Sequence, residues 1–75
     1  MINIKDDIFL DALGKRLKAV RTERGYTQES LAYKADLSLS QIGRIERGTI
    51  NPTISTLKHI CKVLEIELSY FFEGL

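Results

Sequence analysis

The sequence predicts an all-α fold of five short helices, and three observations carry that prediction. Apolar residues recur at three- and four-residue intervals, as in Phe9, Leu13, Leu17 and Val20, which is the period of a helix face and not of a strand. Residues that start or stop helices punctuate the chain at short intervals, with Gly25, Thr27, Ser38, Gly48 and Thr53 in turn. Finally, 75 residues with 44% hydrophobic content bound the chain to one small domain, residues 1–75, near the lower limit for a core without metal or disulfide support. No repeat, low-complexity segment or linker interrupts it.

The elements follow in order. A first helix is expected from about Asp7 to Arg24, with the Phe9, Leu13, Leu17, Val20 stripe buried and Gly25 as its C-terminal stop. Two more lie between Gln28 and Gly48, in QESLAYKADLSLSQIGRIERG. The Thr27 hydroxyl can cap the first of these, and Ser38 followed by Gln41 matches a capping box for the second. Leu31, Ala35, Leu37, Ile42 and Ile45 are spaced to face inward, and Ala32 is small where the two axes must come close. Leu39, Ser40, Gly43 and Arg44 are left on the other side. Two short capped helices, a tight corner and a spare polar face are what a DNA-reading helix-turn-helix needs. Thr49 to Pro52 then form a polar loop, and Thr53 caps a fourth helix burying Leu57, Ile60, Cys61 and Leu64. In the remaining IELSYFFEGL, Ser69, Glu67 or Leu68 starts a last helical turn or two that carries Phe71 and Phe72.

The net charge of +1 conceals an uneven distribution. Residues 15–34 carry six basic side chains against two acidic ones, and residues 38–62 carry four against one, whereas residues 1–14 sum to −2 and residues 63–75 to −3. A basic middle between acidic ends favours one anion-facing surface. Other classes find little support. His59 stands alone as a surface or boundary residue, Cys61 falls on a buried stripe, and no carboxylate cluster or glycine-rich phosphate loop accompanies them, so no enzyme is expected. One cysteine excludes an intramolecular disulfide and a multi-cysteine zinc site, and no cofactor or metal is implied. MINIKDD lacks the basic start and apolar run of a signal peptide, and no apolar run approaches the roughly 18 residues of a membrane span. A cytoplasmic protein with no membrane partner is the expectation.

Across LGKRLKAVRTERGYTQESLAYKADLSLSQIGRIERGTINPTISTLKHICKVLEI, the chain resembles the lambda-repressor and Cro-like helix-turn-helix regulators, also called the xenobiotic-response-element type. The shared pattern is a first helix, Gly, Thr-Gln-Glu, a small corner, Ile-x-x-Ile-Glu-x-Gly, Asn-Pro-Thr and a fourth helix. By length it is most similar to phage Cro proteins and to the controller proteins of restriction-modification systems. The chain departs from the pattern twice. Asp36 stands where the family usually has Gly at the corner, and Glu65-Ile66-Glu67 where many relatives have Gly-Val-Ser.

The resemblance implies a five-helix, lambda-repressor-like DNA-binding domain that regulates transcription from a double-stranded operator. It places Leu39, Ser40 and Arg44 against base edges in the major groove, with Gly43 between them. A guanidinium bonds bidentately to O6 and N7 of guanine, so Arg44 carries the most sequence information. Gly43 costs roughly 1 kcal/mol of helix propensity relative to Ala, which hints at close approach of a base or backbone. Gln28 resembles the family's phosphate-binding glutamine at a helix N-terminus, with Thr27, Ser38, Gln41, Arg47, Thr49 and Asn51 as further phosphate contacts. Arg21 and Glu46 match a structural pair linking the first helix to the end of the recognition helix. Lys15, Arg16 and Lys18 read as solvated surface.

Tyr70, Phe71, Phe72 and Leu75 place four large apolar groups in six residues. Adjacent Phe71 and Phe72 point about 100° apart on a helix, so they cannot all face one core. Segment 66–75 is therefore expected to contribute to a homodimer, one phenylalanine sealing the domain and the other meeting a partner. Contact with RNA polymerase follows if the protein is an activator. The alternative is an interaction adaptor whose basic face meets an acidic protein without specific DNA binding.

Overall fold

Five helices make up residues 6–75, the described part of the computed structural model. They are α1 (Asp7–Glu23), α2 (Gln28–Ala35), α3 (Leu39–Glu46), α4 (Ile54–Val63) and α5 (Leu68–Glu73). Residues 1–5 of the expected 1–75 domain lie outside the described residues. Each N-terminus reflects local chemistry. Asp6 caps α1 by accepting from Phe9 N at 3.0 Å, and Thr53 caps α4 by accepting from Thr56 N at 3.1 Å. Ser38 and Gln41 form a reciprocal capping box on α3, and Thr27 does the same on α2 with Ser30 as partner. The open choice at α5 resolves to Glu67 as N-cap, with no side-chain cap bond.

All five helices meet in one core. Leu17, Leu31, Ile42, Ile45, Ile60, Leu64 and Phe71 are essentially without solvent exposure. At roughly 1.5–3 kcal/mol for each such side chain, this burial and not helix propensity holds elements that are too short to persist alone in water. Leu37 is half-buried at the corner. One expected core residue is displaced: Phe9 is 43% exposed, and Leu10, at 3%, takes its place. Measured from Leu17, Leu10 lies seven residues back and within about 20° of the same face, whereas Phe9 lies about 80° round.

Both departures from the family pattern are accommodated by left-handed backbone. Asp36 adopts φ 54° after α2, and Glu65 adopts φ 58° after α4, the conformation a glycine would take. A further glycine fixes the approach of α1 to α3. A Cβ on Gly14 would overlap the carbonyl oxygens of Ile45 and Glu46, so the close packing of α1 on the end of α3 requires its absence.

Candidate nucleic-acid interface

The outward side of α3 presents Leu39 at 48% exposure, with Ser40 and Arg44 also exposed. The opposite side buries Ile42 and Ile45, so the orientation of the exposed side is set by the core. Gly43 is not on the open surface. It is buried, and a Cβ there would lie 2.9 Å from Nη1 of Arg47. The Arg47 side chain thus folds back over Gly43, one turn earlier. Beside the expected close approach of a base or backbone, the small size of Gly43 makes room for Arg47.

The expected phosphate contacts divide by what their donors already do. Thr27 and Ser38 are exposed but act as caps, their hydroxyls accepting from Ser30 N and Gln41 N at 3.0 Å each. Gln41 spends its side-chain carbonyl oxygen on Ser38 N at 3.0 Å, which turns its amide nitrogen outward as a donor. Arg47 and Asn51 are exposed. Thr49 is different, because its backbone N–H and its hydroxyl both donate to Arg44 O, at 3.0 and 3.1 Å. With both donors directed at Arg44 O, Thr49 closes the end of α3.

Arg21 and Glu46 form a buried pair, their side chains 10% and 4% exposed. Arg21 Nε donates to Glu46 Oε2 at 2.6 Å and Nη2 to Oε1 at 3.1 Å, while Nη1 donates to Tyr26 O at 2.8 Å. Glu46 Oε1 also accepts from Gln28 Nε2 at 2.9 Å. An amide nitrogen carries two hydrogens. Glu46 takes one and thereby fixes which way the half-buried Gln28 amide points, leaving the second for another acceptor. No buried side-chain nitrogen or oxygen among the described residues lacks a partner.

At the C-terminal end the four aromatic and apolar residues separate. Phe71 is fully buried and belongs to the core, so it cannot itself touch a partner. Phe72 is half-buried and meets Phe71 edge to face, with ring centroids 5.6 Å apart. Tyr70 and Leu75 are 39% and 42% exposed. Cys61 is buried in α4, and burial pushes its thiol above the ordinary value of 9.0. That is the opposite of what a reactive thiolate needs.

Sequence reasoning missed three participants. Arg16, expected in solvent, donates to Phe71 O and Tyr70 O across more than fifty residues of chain. His59, expected to be a surface or boundary residue and exposed in the fold, also gives its Nε2 hydrogen to Ala35 O at 2.7 Å and ties α4 to the end of α2. Gly14 sets the α1–α3 spacing. The available signal was weak in each case, since a polar residue on an exposed face has many reasons to be there. Lys15 fits the expectation of a solvated side chain, pairing with Asp11 on the open surface.

A capped helix pair with a tight corner, a core-fixed outward face on its second helix and a buried Arg–Glu link to the first helix define a class. The chain belongs to the Cro/C1-type helix-turn-helix family, which is made up of transcriptional regulators. A helix-turn-helix family model matches residues 17–71. The immunity repressor protein of Bacillus phage phi105 is 47% identical over 57 residues, covering 76% of this chain and 40% of that protein. The HTH-type transcriptional regulator PuuR of Escherichia coli is 41% identical over 61 residues, covering 81% and 33%. The chain therefore spans less than half the length of these relatives. Among solved structures, the restriction-modification controller protein C.AhdI from Aeromonas hydrophila superposes with a TM-score of 0.83 at 34% identity, covering 87% of this chain and 98% of that one. The wild-type controller protein C.Esp1396I gives a TM-score of 0.84 at 40% identity, covering 92% and 88%. Among the described residues, no helix is long and apolar enough to cross a membrane.

Proposed function

We propose that the protein is a cytoplasmic, sequence-specific, double-stranded DNA-binding regulator of transcription that acts as a homodimer on a pseudo-palindromic operator. The observation that carries this reading is the outward face of α3. Arg44, Ser40 and Leu39 are exposed there on a helix whose opposite side is locked into the core. A long forked donor, a hydroxyl and an apolar group suit a guanine edge, a less selective polar contact and a thymine methyl respectively. Arg47, Gln41, Asn51 and the N-terminal turn of α2 with Gln28 supply phosphate contacts, which fix position without reading sequence. Residues 66–75 supply the dimer contact through Tyr70, Phe72 and Leu75. Two α3 helices related by a two-fold axis read half-sites about 34 Å apart. The names of the repressor, regulator and controller relatives support regulation as the purpose, and the phage relative supports repression.

Selection of bound duplexes from a random DNA pool tests this. The proposal expects enrichment of one motif with two related half-sites spaced by one helical turn. A pool that stays random after repeated rounds at physiological salt would instead favour an adaptor that binds DNA only through its charge.

A further inference from the structure

The C-terminal helix raises a mechanical question. Helix α5 has six residues, no side-chain cap at its start and no basic residue in its last turn. A helix of that length does not hold its own shape in water, and its last carbonyls need donors from elsewhere. Phe71 anchors it in the core, and Leu68 and Phe72 pack against the same core, but apolar packing supplies no donor to its last carbonyls.

Arg16 of α1 supplies those donors. Its Nε donates to Phe71 O and its Nη2 to Tyr70 O, both at 2.8 Å, and its Cζ lies 5.0 Å from the centroid of the Tyr70 ring. A planar fork loses little freedom in forming both bonds together, and the charged donor makes each stronger than a neutral one. The guanidinium also covers one face of Tyr70 as a cation–π partner. Gly74 is shaped to this arrangement, because a Cβ there would overlap Arg16 Cδ, Nε and Cζ.

We propose that Arg16 is a positioning residue for self-association. It holds the end of α5 against α1 and one face of the Tyr70 ring in place, so that Tyr70, Phe72 and Leu75 meet a second copy of this chain as one preformed surface. This inference rests on the homodimer reading above and adds to it a residue that makes no contact across the interface. Ordering α5 before the encounter removes part of the entropic cost of association.

Sedimentation equilibrium of wild type, Arg16→Ala and Gly74→Ala, with far-UV circular dichroism of each, tests the role. For a folded Arg16→Ala the dimer dissociation constant should rise tenfold or more. Affinity for the selected full operator should fall with it, while affinity for a duplex bearing one half-site stays within threefold of wild type. A merely structural role would weaken both duplexes alike, so equal losses overturn the proposal, as does a folded Arg16→Ala that dimerises within threefold of wild type. If Arg16→Ala loses helical signal, Gly74→Ala decides, since it displaces the guanidinium without removing it. Tenfold weaker dimerisation of Gly74→Ala supports the role, and unchanged dimerisation overturns it. A wild type that is monomeric at tens of micromolar overturns the homodimer reading itself, a result distinct from any failure of the variants.

Discussion

Replacing Glu46 with alanine removes the acceptor for three hydrogen bonds, two from Arg21 and one from Gln28. The cost follows from where those donors are. With the Arg21 side chain 10% exposed, its guanidinium keeps Tyr26 O as a partner but loses its counter-charge in a site that water reaches poorly. Breaking one side of such a buried pair costs about 3–5 kcal/mol. Domains of this size have total stabilities of about 5–15 kcal/mol, so the loss is a large share. At about 4–8 °C for each kcal/mol, the midpoint of thermal unfolding should drop by about 12 °C or more. The comparison that isolates the mechanism is the double variant Arg21→Met, Glu46→Leu. It removes both charges and fills the space with apolar atoms, and it should recover much of the loss because the isolated charge is gone. Thermal and urea unfolding followed by circular dichroism on the three proteins measures this directly. A midpoint shift of about a degree or less for Glu46→Ala, or a double variant no more stable than the single one, would refute the claim that the pair is buried and mutually dependent.

Arg44→Ala should cost about 1–3 kcal/mol on the preferred site and relax the preference at one base pair per half-site, whereas Gln28→Ala should weaken binding with base preference unchanged; competition titrations on a panel of single-base variants separate the two, and a uniform loss for Arg44→Ala makes it a phosphate contact. Glu65→Gly should raise stability by up to about 1 kcal/mol, since a non-glycine residue in the left-handed region costs roughly 1–2 kcal/mol and glycine returns part of that as chain entropy; a lower melting midpoint contradicts it. Because burial raises the Cys61 thiol above 9.0, the folded chain holds that proton more tightly than the unfolded one. Its contribution to stability is therefore full below pH 9 and lost as the pH rises through the folded value. Alkylation of Cys61 at pH 8 should run at least about a hundredfold slower than in urea, because the thiol reacts only on opening, and equal rates would show an accessible thiol.

The parts of this fold that were legible in the sequence are those written in neighbouring residues. Ser38 with Gln41, Thr53, Gly25 and Gly48 sit within one turn of the ends they define, and the apolar stripes of α2, α3 and α4 repeat at helical spacing. Arg21 and Glu46, 25 residues apart, came from the family pattern and not from any local signal. The reciprocal half of the α2 cap leaves no such mark, because Ser30 stands where a glutamate or glutamine would signal it. The sequence leaves Phe9 and Leu10 as rivals because three- and four-residue spacings fit two adjacent faces equally well over a single turn, and the fold buries Leu10 on the Leu17 face. What could not be read were contacts between distant segments: Arg16 with the carbonyls of α5, His59 with the end of α2, and Gly14 with the end of α3. Nothing in the spacing of Phe71 and Phe72 says which side the core lies on. That depends on how α5 packs back against α1 and α4, and so appears only in three dimensions.

Reading bases and merely neutralising phosphates are different activities, and one measurement separates them most directly. It is the ratio of affinities for a selected duplex and a base-scrambled duplex of equal length, taken at one fixed physiological salt concentration. A regulator that reads bases through α3 should prefer its selected site by about a thousandfold or more. A ratio near one, with both affinities falling together as salt is raised, would mean that charge alone holds the complex and would contradict base readout by Arg44, Ser40 and Leu39.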